Sequence, residues 1–197
     1  MVGPEYLYRN GGTPTYFIYY AVISKRNPEV LWNVINDIIQ ENDDFSLDLQ
    51  LNFVGLISDN VLESIEKYNL SNYVNNVGYV SHKEAINYQK KSQLLLLIEI
   101  DSEDTKCIIP GKLFEYMASK RPIIAIGPEV SDIEKIINQT RSGTYFRYDE
   151  ATPLRAQLAQ HFEAYKTKRL FVDSIGLDMY SRKTLTQQLA QKLLSST

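Results

Sequence analysis

The sequence predicts an α/β domain built on a doubly wound, mostly parallel sheet of six strands, with helices on both faces and closing C-terminal helices. Candidate strands and helices alternate along the chain, without hairpin patterns or internal repeats. The run LLLLI, Leu94 to Ile98, is apolar at every position, which is typical of a parallel strand covered on both faces. A length of 197 residues suits a single domain of this kind.

The expected strands are short runs rich in β-branched, aliphatic or aromatic residues, bounded by polar or turn-forming residues. The first, TYFIYYAV, is mostly aromatic and β-branched. In chain order, the six expected strands are residues 15–22, 47–55, 74–80, 94–100, 122–127 and 143–149.

The expected helices follow these strands, and several carry start patterns. Asn27 is predicted as the N-cap of the first helix, with Pro28 at its first position. Ser81 with Glu84, and Ser131 with Glu134, have the spacing of capping boxes. A helix is expected from about Lys112, and the two long closing helices over residues 153–169 and 181–194.

The composition excludes several classes of site. The net charge of -3 gives no electrostatic basis for binding nucleic acid or an anionic membrane. One cysteine, Cys107, and two histidines, His82 and His161, provide neither a disulfide framework nor a metal site. No apolar run approaches the ~20 residues of a membrane-spanning helix. We therefore expect no metal, no cofactor and no transmembrane segment.

Ligands of doubly wound sheets bind outside the carboxyl ends of the strands, which directs attention to IIPGKLFEYMASKRPIIAIGP, residues 108–128. A helix beginning after Pro110 and Gly111 offers free backbone N–H groups to an anion, and Lys112 adds a positive charge. Glu115 lies one turn further on the same face, where it could accept from the two hydroxyls of a ribose. The alternative is a solvated Lys112–Glu115 ion pair on an ordinary packing helix.

The segment PGKLFEYMASKRPIIAIG resembles the donor-site signature of GT-B fold glycosyltransferases of the family-4 type, the glycosyl transferases group 1. The segments YFIYYAVISKRNPEVLWNVI, LNFVGLIS and SGTYFRYD are individually weaker matches in the expected order. The resemblance covers residues 16–194 and implies a Rossmann-like domain, the C-terminal, donor-binding half of a GT-B fold. Residues 1–14 would be an arm or the remnant of an interdomain linker, and residues 15–197 the nucleotide-sugar-binding domain.

The resemblance implies a role for each matching position. Glu115 would hold the ribose of the donor nucleotide, and Lys112 would lie near its diphosphate. The first loop would add phosphate contacts, and the residues after the third strand would support the base. The implied nucleotide-sugar-binding residues are Ser24, Lys25, Arg26, Tyr79, Val80, Ser81, Pro110, Gly111, Lys112 and Glu115.

The sequence departs from the family pattern at two places. Many members carry a second glutamate eight residues before the first, in contact with the transferred sugar, and here that position is Cys107. The glycine expected in the first loop, near Ala21 or Val22, is also missing. These departures leave the sugar contact and part of the diphosphate contact without an assigned residue.

The expected function is donor binding by one half of a retaining hexosyltransferase in bacterial surface-polysaccharide assembly, such as capsule or lipopolysaccharide. The expected partners are a nucleotide-diphosphate sugar and an N-terminal acceptor-binding domain, in cis or as a separate chain. The expected location is the cytoplasm or the inner face of the membrane, with peripheral association through the other half. One alternative is a non-catalytic α/β interaction module; another, a sugar-nucleotide epimerase, would need further histidine and carboxylate catalysts.

Overall fold

The computed structural model describes the backbone of residues 15–20 and the whole of residues 26–195. The described strands form one six-stranded sheet in the order β3-β2-β1-β4-β5-β6, and every neighbouring pair is parallel. This confirms the predicted doubly wound α/β fold. In chain order the strands are β1 Thr15–Tyr20, β2 Leu49–Val54, β3 Val74–Gly78, β4 Leu94–Ile98, β5 Ile123–Gly127 and β6 Gly143–Arg147.

Helices connect and cover these strands. In chain order they are α1 Glu29–Glu41, α2 Asp43–Asp48, α3 Asp59–Lys67, α4 His82–Lys91, α5 Gly111–Ser119, α6 Asp132–Thr140, α7 Ala151–Lys166 and α8 Arg182–Ser195. Helix α8 buries no residue, unlike the other helices among the described residues. None of the helices in the described part of the chain is long and apolar enough to cross a membrane.

Strand β4 divides the hydrophobic core into two clusters, because successive side chains of a strand point to opposite faces of the sheet. Leu94, Leu96 and Ile98 belong to the cluster that includes buried residues of α1, α2, α3 and α7. Leu95 and Leu97 belong to the other cluster, with buried residues of α4, α5 and α6. All five residues of β4 are buried, which explains the uninterrupted apolar run in the sequence.

The start of the first helix differs from the prediction. Pro28, not Asn27, is the N-cap of α1, and no side chain caps this helix. The amide of Asn27 is used elsewhere: its Nδ2 donates to Ser64 Oγ at 2.6 Å, and its Oδ1 accepts from Trp32 Nε1 at 2.9 Å. The predicted cap was wrong because this side chain joins α1 to α3 instead.

The predicted second strand began too early, because a short helix precedes it. Asn42 Oδ1 accepts from the backbone N–H of Phe45 at 3.0 Å and caps α2. Phe45 is buried and packs edge-on against Phe162 of α7, with ring centroids 5.1 Å apart. Leu47, expected in the strand, lies in this helix and is 69% exposed.

Of the two predicted capping boxes, one is confirmed and one is not. Ser81 and Glu84 form a complete box at the start of α4. Ser131 caps α6 by accepting from the backbone N–H of Ile133 at 3.0 Å. The carboxylate of Glu134, however, accepts from the backbone N–H of Val130 at 3.2 Å and not from that of Ser131.

Candidate functional site

The candidate site lies at the start of α5, beside the carboxyl end of the buried strand β4. Pro110 is the N-cap of α5 with an extended backbone, and among the described residues no side chain caps the helix. The first N–H groups of a helix carry partial positive charge and attract anions. The sequence placed this helix start correctly to within one residue.

Gly111 leaves open space at the start of α5. A Cβ atom added at this glycine would meet nothing within 4 Å among the described residues. Its backbone also lacks a positive φ, so neither packing nor conformation of the described chain requires glycine here. That the residue allows a ligand to approach the backbone stays a prediction.

Lys112, the second residue of α5, is partly buried and stands near another cation. Burial, and to a lesser degree the charge of Arg26, lowers the pKa of Lys112 to about 8, although the carboxylate of Glu115 acts in the opposite direction. The charge of Arg26 thus acts on a lysine at a helix start, where the backbone N–H groups also favour an anion.

Arg26 precedes α1, and its charge acts both on Lys112 and on Glu99, directly after β4. Burial raises the pKa of Glu99 and of Tyr148, and the charge of Arg26 opposes this rise. The strand order explains this position, because β1 and β4 are neighbours although three crossovers separate them in the chain. Of the other residues predicted for this loop, Ser24 and Lys25 lie outside the described part of the chain.

Glu115 is partly buried on α5, and α4 supplies a partner for it. Gln89 Nε2 donates to Glu115 Oε2 at 3.2 Å. The Gln89 side chain is 1% exposed, so this hydrogen bond lies in the packing between the two helices. The bond fixes one carboxylate oxygen of Glu115 and thereby orients the other.

The residues predicted to support the base, Tyr79 to Ser81, lie between β3 and α4. Tyr79 is 89% exposed, which leaves its ring and backbone open to a ligand. The Ser81 hydroxyl is committed to the capping box, donating to Glu84 Oε2 at 2.7 Å. That hydroxyl and the Ser81 backbone N–H lower the pKa of Glu84. Only the backbone of this segment and the ring of Tyr79 are therefore offered to a base.

A buried carboxylate that sequence analysis missed lies at the end of β4. Glu99 is 5% exposed; its Oε2 accepts from the hydroxyl of Ser131 at 2.8 Å and its Oε1 from that of Tyr145 at 2.7 Å. Burial raises the pKa of Glu99, while the two hydroxyls and the charge of Arg26 oppose this effect. The hydroxyl of Tyr148 also donates to the Glu99 carbonyl at 2.7 Å.

This Glu99 network, defined as Glu99 with Ser131, Tyr145 and Tyr148, ties together the ends of β4 and β6 and the start of α6. Burial raises the pKa of both tyrosines, so both remain hydroxyl donors near neutral pH. The loop after β4 is held at a second point, where the backbone N–H of Asp132 donates to the Lys106 carbonyl at 2.9 Å. A lone carboxylate directly after an apolar strand was the pattern that could have revealed Glu99.

The remaining candidates take no visible part in the site. Cys107, at the position of the missing glutamate, is exposed. His82 is exposed, and burial lowers the pKa of His161 to about 4, so that its ring is neutral near pH 7. Within residues 15–20 and 26–195 no group of three or more His, Cys, Asp or Glu residues could hold a metal ion.

Comparison with known families assigns the chain to one group. The model of the glycosyl transferases group 1 matches residues 15–163. The chain belongs to this family. The match includes both the start of α5 and the Glu99 network of this group 1 domain. No curated protein matches the sequence.

Solved glycosyltransferase structures share the fold of this group 1 domain at low sequence identity. Sucrose-phosphate synthase from Thermosynechococcus elongatus superposes with a TM-score of 0.64 and 15% identity, over 98% of this chain and 49% of that one. The lipopolysaccharide outer core galactosyltransferase WaaB, in its apo form, gives a TM-score of 0.67 and 13% identity, over 96% and 52%.

A mutant of S. aureus TarM in complex with UDP and other ligands gives a TM-score of 0.60 and 14% identity. The match covers 95% of this chain and 36% of that one. The group 1 domain thus spans about half or less of the solved structures that it resembles.

Replacement of Gly127 should destabilise the domain through the Glu99 network. A Cβ atom at this position would lie 2.6 Å from Glu99 Oε1 and would also meet the Tyr145 hydroxyl, and both groups are held by hydrogen bonds. We expect Gly127→Ala to lower the free energy of unfolding by about 1–3 kcal/mol, measured by denaturant titration. The matched control Gly111→Ala should change it by no more than about 0.5 kcal/mol. Equal losses in the two variants would contradict this account of the network.

Proposed function

We propose that this domain binds the nucleoside diphosphate part of a nucleotide sugar at the start of α5. The observation that carries the proposal is a partly buried Lys112, influenced by the charge of Arg26, at a helix start that no side chain of the described residues caps. In the free protein, burial and the charge of Arg26 disfavour the protonated form of Lys112. A diphosphate would accept hydrogen bonds from both cations and from the helix N–H groups.

The other proposed contacts follow from the positions of the neighbouring residues. Glu115, three residues beyond Lys112, would accept from ribose hydroxyls through the oxygen that Gln89 does not hold. The exposed ring of Tyr79 and the backbone up to Ser81 would support the base. In sugar transfer the same cations would stabilise the charge that develops on the departing nucleoside diphosphate.

We further propose that the domain is the donor-binding half of a retaining hexosyltransferase of bacterial surface-polysaccharide assembly, acting at the cytoplasmic face of the membrane. The names of two solved relatives support this proposal: a lipopolysaccharide outer core galactosyltransferase, and TarM in complex with UDP. Because the domain spans about half of such enzymes, transfer would require an acceptor-binding partner domain. No cofactor beyond the donor substrate enters this proposal.

Loss of the Glu115 carboxylate should abolish nucleotide binding. At a ligand concentration of about 100 Kd, a nucleoside diphosphate stabilises its receptor by ~2.7 kcal/mol, which for a chain of this size raises Tm by about 5 °C or more. We expect this shift in the wild type, measured by thermal unfolding against a panel of nucleoside diphosphates. Glu115→Ala should remove it, whereas the exposed Glu66→Ala on α3 should retain it. A panel without any shift in the wild type would instead favour the non-catalytic interaction module.

Nucleotide affinity should fall as the pH rises through about 8. The free protein holds Lys112 with its pKa near 8, and a bound diphosphate would raise that pKa, so binding takes up a proton above this pH. Calorimetric titration at pH 7.5 and 9.5 should show an affinity loss of about tenfold or more. Both pH values lie above the pKa of about 6 at which phosphate itself titrates.

The control for this pH dependence is Lys112→Arg, because arginine remains protonated throughout the range. The affinity of this variant should be nearly constant between the two pH values. An equal decrease in wild type and Lys112→Arg would assign the effect to another group and contradict the role of Lys112.

A further inference from the structure

Gln89 is buried in the packing between α4 and α5, and only one end of its amide has a hydrogen-bond partner among the described residues. Its Nε2 donates to Glu115 Oε2 at 3.2 Å, and its side chain is 1% exposed. Its Oε1 is buried and has no hydrogen-bond partner among the described residues. A buried acceptor without a partner destabilises a fold, and an apolar side chain of similar length would avoid that effect.

The carboxylate of Glu115 dictates how this amide is oriented. An ionised carboxylate only accepts hydrogen bonds, so the NH₂ group of Gln89 must face it and the amide oxygen must face away. Turning the amide over would place two oxygens against each other. The unsatisfied Oε1 of Gln89 is thus a consequence of holding Glu115.

We propose that Gln89 is a positioning residue for ribose recognition, an inference that rests on the nucleotide site proposed above. By holding Oε2 of Glu115, it fixes the side-chain conformation and directs Oε1 toward a ribose hydroxyl. It would thereby make the site selective for ribonucleotides over deoxyribonucleotides, while it contributes nothing to the diphosphate contacts.

The position of Gln89 on α4 gives this contact a second consequence. Helix α4 begins at the Ser81 capping box, directly after the segment proposed to support the base, and carries Gln89 two turns further on. One rigid helix therefore sets both the base-supporting segment and the orientation of the ribose acceptor. The distance between the base and ribose contacts is fixed by α4 itself.

The test is the discrimination between a nucleoside diphosphate and its 2′-deoxy counterpart, measured by calorimetric titration with both ligands and with pyrophosphate. The wild type should prefer the ribonucleotide by roughly tenfold, the size expected for one hydrogen bond to a charged group. Methionine is similar to glutamine in length but has no amide. Gln89→Met should therefore reduce this preference to about twofold or less. Its pyrophosphate affinity and Tm should equal or exceed those of the wild type.

Two further variants keep the test decisive. Gln188→Met, exposed on α8, should retain the wild-type preference. If Gln89→Met does not fold, Gln89→Glu takes its place in the test. It preserves size and polarity but sets a second carboxylate against Glu115, so it should also lose the ribose preference. An unchanged preference in the folded Gln89 variants would overturn this inference alone. A wild type that binds nucleotides without preferring the ribose form would overturn this inference and the ribose contact proposed for Glu115. A wild type that binds no nucleotide would overturn the proposed function and this inference with it.

Discussion

The site depends on the reversal of strand order between β1 and β4. Crossovers leave β1 toward β2 on one side and reach β4 on the other, and folds with such a reversal bind ligands at the carboxyl ends of the two strands. Arg26 follows β1 in the chain, and α5 follows β4. Residues distant in sequence thus influence one another's pKa, as the charge of Arg26 lowers the pKa of Lys112.

The Glu99 network makes this edge of the sheet rigid where β4, β6 and α6 meet. Its buried carboxylate is satisfied by Ser131 and Tyr145, and Gly127 provides the space that the two side chains of Glu99 and Tyr145 occupy. A fully satisfied buried network of this kind specifies one arrangement of its backbone segments. The loop between β4 and α5 is therefore anchored at its first residue.

The sequence was sufficient for features that depend on local patterns and insufficient for those that depend on tertiary partners. The buried strand β4 and the Ser81 capping box follow from apolar periodicity and cap spacing, and both were predicted. Asn27 was misassigned because its amide bonds Ser64 and Trp32, neither of which its local pattern indicates. Glu99 and Gln89 were missed for the same reason, since buried polar residues become meaningful only beside the groups that they contact.

The most direct measurement of the central claim is a backbone amide NMR titration of the domain with a nucleoside diphosphate. The account predicts that the largest shift changes occur at Gly111, Lys112 and Glu115, with a second group from Tyr79 to Ser81. Amides of α3, on the opposite flank of the sheet, should remain unchanged. Shift changes confined to α3 or to the β3 edge, or none at saturating nucleotide, would contradict a donor site at the start of α5.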